Sequence, residues 1–147
     1  MATMLISFSG TVQKGSGTAS GNLKIQIPLI AEQFPEISAC HPGTINVQLD
    51  VKDFRLAASD FITLPIPWRP DHTNPKCKGP EVFHFTRIYV QPEGEPRYCA
   101  WLYGPQQSPH RKKPGYIEII SPTKIPGIEV GKKIEIFITV KNPHGEE

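Results

Sequence analysis

The sequence predicts an all-β fold, a small barrel or sandwich of short strands, and three observations predict it. Sixteen prolines in 147 residues is about twice the average usage of roughly 5%, and each interior proline removes a helical hydrogen bond. Apolar residues recur at every second position rather than at the three- and four-residue spacing of an amphipathic helix. Glycine and proline clusters punctuate the chain at short intervals, as turns between strands require.

The elements follow in order. Met4, Ile6, Phe8 and Val12 share one parity and predict a first strand. It ends in the turn cluster Lys14-Gly15-Ser16-Gly17, and a second strand is expected through Leu23, Ile25 and Ile27. Leu29 to Ile37 can form one short helix, which Pro35 would cut. After the turn His41-Pro42-Gly43, Ile45, Val47 and Leu49 fall on one face of a strand, with Thr44, Asn46 and Gln48 on the other. Phe54 to Leu64 can carry one or two short strands. Pro65 to Pro80 holds five prolines in sixteen residues and reads as a surface loop or insertion (65–81), because neither helix nor central strand tolerates that density. Val82–Val90 and Arg97–Tyr103 read as a hairpin, a polar loop spans Gly104 to Gly115, and Tyr116–Ile120 and Lys133–Val140 are the last strands. The tail 142–147 is expected to fray. One domain over 1–147 is expected, with no internal repeat.

Composition narrows the function classes. Hydrophobic residues at 38% and charged residues at 20% suit a folded globular chain. No apolar run approaches the roughly 18 residues of a membrane span, and no basic segment precedes the short apolar start; a cytoplasmic protein is expected. Cys40, Cys77 and Cys99 are odd in number and form no CxxC pair, which argues against a disulfide framework or structural zinc. A net charge of +2 without a basic stripe argues against nucleic acid, yet leaves room for an anionic small ligand held by local cations.

Five features could carry chemistry, and each also has an ordinary explanation. Gly15-Ser16-Gly17 follows a strand; such glycines let backbone N–H groups form a nest around a phosphate, but they also make a plain hairpin turn. No Gly-Lys-Ser/Thr follows, so this is not a P-loop. Thr44 and Asn46 offer two neutral oxygens on one face, which suits a hard cation otherwise held by water and phosphate, or simply a polar outer face. Glu118 is a carboxylate inside an apolar strand; half-buried it needs a partner or a task, and facing solvent it needs neither. Ser108-Pro109-His110-Arg111-Lys112-Lys113 is a lid that touches phosphates or a solvated basic loop. Trp68, Trp101 and Tyr103 can stack on a flat ring, although aromatic residues of a small barrel mostly fill cores.

Together and in this order, GTVQKGSGTAS, PGTINVQLD and YIEIISPTKI, followed by a hydrophobic final strand, resemble the CTP-dependent riboflavin kinases of archaeal type. The resemblance runs roughly from Phe8 to Val140, and PGTINVQLD is its most specific part. It implies a small cradle-loop β-barrel that transfers the γ-phosphate of CTP to the terminal ribityl hydroxyl of riboflavin, giving FMN and CDP, with Mg2+ as the metal. A monomer that binds no nucleic acid and no membrane is expected. By motif, Gly15, Ser16, Gly17, Thr18, Ala19 and Ser20 would hold the nucleotide, together with Thr123, Lys124, Ile125 and Pro126. Thr44 and Asn46 would bind magnesium, Ser108 would contact the flavin, and Glu118 would lie at the hydroxyl to be phosphorylated. The chain departs from the family pattern in three places. Lys124-Ile125-Pro126 stands where the family has Lys-Leu-Arg, Ser108-Pro109-His110 replaces Thr-x-His with about two extra residues before Glu118, and the proline-rich loop is longer. Two other classes stay open: a flavin- or nucleotide-binding barrel without turnover, which the altered Lys124-Ile125-Pro126 segment favours, and, by analogy of fold alone, a DNA-binding regulator, against which the low net charge counts.

Overall fold

Alternation along a strand is a statement about two faces, and here both faces are used. The computed structural model describes residues 3–14, 27–40, 44–51, 60–66, 82–105 and 115–141. Their strands are β1 (Thr3–Gln13), β2 (Ile45–Leu49), β3 (Phe61–Ile62), β4 (Phe83–Pro92), β5 (Tyr98–Pro105), β6 (Tyr116–Ile120) and β7 (Lys133–Lys141). They form one antiparallel sheet in the order β3-β4-β5-β6-β2-β1-β7, and an additional β4–β7 pairing closes it into a barrel with β3 outside the ring. No helix among the described residues is long and apolar enough to cross a membrane.

Closure depends on two long strands that change partners. β1 pairs with β7 through Thr3–Thr11 and with β2 through Gly10–Gln13. β4 pairs with β5 along most of its length, with β7 through Ile88–Pro92, and with β3 through His84 and Phe85. Where β4 has left β7, side chains take over. Thr63 Oγ1 accepts from Phe83 N at 3.0 Å and Asp60 Oδ2 accepts from Arg87 N at 2.6 Å. Those amides would otherwise lack a ladder partner.

The ring encloses the main core: Val12, Val47, Leu49, Ile88, Val90, Ala100, Leu102, Ile117, Ile119, Ile134, Ile136 and Ile138 are buried there, joined by Ile125 from the segment after β6. A second core lies on the outer face of β4, β5 and β6. Phe83, Phe85, Tyr103 and Ile120 have the opposite parity from the first set, and Ile30, Phe34, Ile37, Cys40 and Ile66 cover them. Phe34 is its centre, stacked 4.7 Å from Phe61 and 4.9 Å from Phe85, with Trp101 edge-on at 5.0 Å.

The covering segment corrects one expectation. Ile27 is not in a strand but in a helical turn over 27–31; Leu23 and Ile25 lie outside the described residues. Pro28 lacks the N–H that a sheet ladder needs and fits the first turn of a helix. The helix does not run on to Ile37. Pro35 instead opens a 3₁₀ turn, Pro35–Ala39, and the two pieces together put Ile30, Phe34 and Ile37 on the sheet. Ile66, inside the proline-rich stretch, is likewise buried in this second core at 2% exposure; residues 67–81 lie outside the described residues.

Gly10 sits where β1 is paired on both edges. A Cβ there would lie 2.6 Å from Val47 Cγ1, 2.9 Å from the Gln48 carbonyl oxygen and 3.2 Å from Leu49 Cδ2. Two of the three obstacles belong to packed core side chains and one to backbone. Gly10→Ala is therefore expected to destabilise the fold by about 1–3 kcal/mol, the usual size of core overpacking. Urea unfolding of the two proteins measures it, and equal midpoints would mean that β2 shifts freely.

Candidate functional site

Register brings the separately read motifs into one row. Asn46 of β2 is the Cα partner of Glu118 on β6 and, across its other edge, of Gln13 on β1. Directly opposed residues share a face, so Gln13, Asn46 and Glu118 line up across three adjacent strands on the outside of the barrel. Thr44, two residues before Asn46, has the same parity and is half-buried. The inward positions beside them, Val47, Ile117 and Ile119, are core, which fixes which way the row faces.

Asn46 is the unusual member. It is 6% exposed, and its Oδ1 accepts no hydrogen bond from the described residues. Leaving a buried acceptor unpaired costs about 1–3 kcal/mol, which marks Oδ1 as the polar atom of this row that an incoming group would most stabilise. A hard cation or a ligand hydrogen-bond donor would satisfy it. Among the described residues no three His, Cys, Asp or Glu side chains converge, so a cation here would rest on neutral oxygens with Glu118 beside them.

Glu118 is half-buried and shares its face with Tyr116. Burial first, and the negative charge of Glu118 second, push the Tyr116 phenol above its ordinary pKa of 10.0. The segment after β6 is held by its own contacts. Ser121 Oγ donates to the Thr123 carbonyl at 2.7 Å and accepts from Thr123 N at 3.2 Å. Ile125 is buried in the main core at 5% exposure, while Thr123, Lys124 and Pro126 are exposed. The Ile125 side chain thus anchors the segment and leaves Thr123, Lys124 and Pro126 at the surface. Gly15, Ser16, Gly17, Thr18, Ala19, Ser20 and Ser108 lie outside the described residues. Gln13, two residues before Gly15, is beside Asn46.

Sequence reasoning missed Gln13 and Tyr116. Both were visible only as residues of matching parity next to motif positions, and register was needed to align them. Trp101 and Tyr103, considered for stacking, belong to the second core, and the Arg87 guanidinium lies 4.9 Å from the Trp101 ring centroid. Burial pushes the Cys40 thiol up to about 11, and Cys40 and Cys99 are free. An open groove of about 350 Å³ on the outer face of β1, β4 and β7 is lined by Asp50, Glu93 and Glu135, with Lys133 as its cation. Lys133 Nζ is 3.8 Å from Asp50, and Ser9 donates its hydroxyl to Glu135. Its charge is of the wrong sign for a phosphate ligand, and it contains none of the motif residues.

No protein-family model matches the chain, and no curated protein matches it significantly in sequence.

The Tyr116–Glu118 pair has a measurable consequence. A phenol whose pKa is raised on folding stabilises the fold below the unfolded pKa and loses that contribution as pH rises through the folded value. In Glu118→Gln, Tyr116 should ionise at lower pH than in the wild type, yet still above a free tyrosine because burial remains. Absorbance titration at alkaline pH, with Tyr116→Phe to assign the signal, reads this directly. An unmoved Tyr116 transition would show that the carboxylate does not act on it.

Proposed function

We propose that the chain is a riboflavin kinase of the cradle-loop barrel type, transferring the γ-phosphate of a nucleoside triphosphate, by resemblance CTP, to the ribityl hydroxyl of riboflavin. The observation that carries this reading is the orphaned, buried Oδ1 of Asn46 lying opposite Glu118. Two motifs far apart in the chain, PGTINVQLD and YIEIISPTKI, supply these residues. Closed antiparallel barrel topology is consistent with it.

Phosphoryl transfer asks the protein mainly to position reactants and neutralise charge. Backbone N–H groups of Gly15–Ser20 would receive the phosphates, and the main chain of Thr123–Pro126 would flank the nucleotide. Thr44 and Asn46 fit magnesium, since both are neutral oxygen donors and one is a buried acceptor without a partner among the described residues; the ion would supply charge neutralisation at the phosphate oxygens. Glu118 would orient the ribityl hydroxyl and take its proton as the O–P bond forms, with the nucleoside diphosphate leaving. Ser108 would contact the flavin. Lys14, exposed at the end of β1, and Arg111, Lys112 and Lys113 are the cations available in place of the family's arginine.

A second reading has its own support. Ile125 spends its side chain in the core and Pro126 replaces the arginine, which suits a barrel that binds flavin or nucleotide without turnover. FMN formation from riboflavin with CTP and with ATP separates the two. In the kinase reading Glu118→Gln keeps flavin binding and loses roughly 10²-fold or more in turnover, the size expected of a positioned proton acceptor. A wild type that binds flavin but makes no FMN with any triphosphate would establish the binding protein instead. Thr44→Val combined with Asn46→Leu should abolish magnesium-dependent nucleotide binding in a folded protein. Unchanged nucleotide affinity would return both residues to an ordinary polar face.

A further inference from the structure

We infer that Gln13 is a third oxygen donor of the cation site, a role that rests on the reading of Asn46 given above and extends it to the neighbouring strand. Gln13 is the last residue of β1, half-buried, and the Cα partner of Asn46. Directly opposed residues hold their Cβ atoms roughly 4.5–5.5 Å apart. Two carboxamides at that spacing can bring their oxygens to one ion, and a glutamine reaches one methylene further out than the asparagine beside it. Hard cations accept such carbonyl oxygens readily.

A glutamine near the end of an outer strand is ordinarily a solvated side chain. Two observations remove this one from that class. Its neighbour Asn46 is over nine-tenths buried with an acceptor that no described residue fills. Among the described residues, Gln13 Nε2 donates to the Thr11 carbonyl at 3.4 Å, a long bond that leaves the carboxamide free to turn its Oε1 to a ligand. With Glu118 on the far side of Asn46, the row offers two neutral oxygens followed by one carboxylate. That low negative charge suits a cation that arrives already carrying a phosphate ligand. Gln13 also precedes Lys14 and Gly15–Ser20 in the sequence, the residues read as phosphate-binding.

The test uses Mn2+ as probe in the presence of CDP, with free ion followed by electron paramagnetic resonance on the full chain. Gln13→Met keeps the side-chain length and removes the oxygen, and should weaken Mn2+ binding by about tenfold, the scale seen when groups supporting a metal site are lost. Gln13→Glu, which adds a charge at the same atom, should tighten it. Thermal melting of each variant confirms the fold, and a purely structural glutamine would show neither change in affinity. Asn46→Leu is the reference. If it abolishes binding while Gln13→Met stays within about twofold of the wild type, the role of Gln13 is overturned and the Asn46 reading stands. If Asn46→Leu binds Mn2+ as the wild type does, or the wild type binds none, both are overturned.

Discussion

The close approach of β1 to β2 at Gly10 is the constraint on which the barrel depends. At that residue the strand is paired with Leu49 on one edge and Ile134 on the other, and the inward side has room for a hydrogen atom but not for a methyl group. Glycine in a strand interior ordinarily weakens it. Here it lets β1 hand over from β7 to β2, one link in the ring that the β4–β7 pairing closes, and leaves β1 without a free edge at that point.

The same handover places the candidate site. Past Gly10, β1 runs on beside β2 to Gln13, and β2 in turn runs beside β6, so the polar residues of three strands come into one line. A two-residue shift of register at the β1–β2 seam would separate Gln13 from Asn46, and one at the β2–β6 seam would separate Asn46 from Glu118, while every apolar residue still faced inward. The site is therefore more sensitive to pairing than the core is, because hydrophobic burial fixes parity and only the hydrogen-bond register fixes which polar residues meet.

This difference explains what could be read in the residues and what could not. Strands β1, β2, β4, β5, β6 and β7 were legible from period-two patterning, and Tyr116–Ile120 matches the expected span. The polar parity of Thr44, Asn46 and Glu118 was legible too. The second core was not. Phe83 and Phe85 alternate with inward-facing residues of the same strand, and alternation cannot distinguish an outer face in water from one covered by another segment. Nor could the covering segment be placed, since Ile27 continued a strand-like pattern until Pro28 interrupted it. The burial of Asn46 was invisible for a related reason: an asparagine on a polar face looks the same in sequence whether solvent or protein lies over it.

The barrel is also uneven around its circumference. β1 and β7 are joined through nine residue pairs, Thr3 to Thr11, whereas β5 and β6 meet only at Trp101–Ile120 and Leu102–Ile119 among the described residues. Cooperative units of a fold come apart where few contacts cross between them. The amides of the long β1–β7 ladder are accordingly expected to exchange with solvent more slowly than those at Trp101 and Leu102. Glu118 stands one residue from that short pairing. Among the described residues β6 pairs with β2 through four residues and with β5 through two, so β2 is the strand that chiefly fixes where the carboxylate stands.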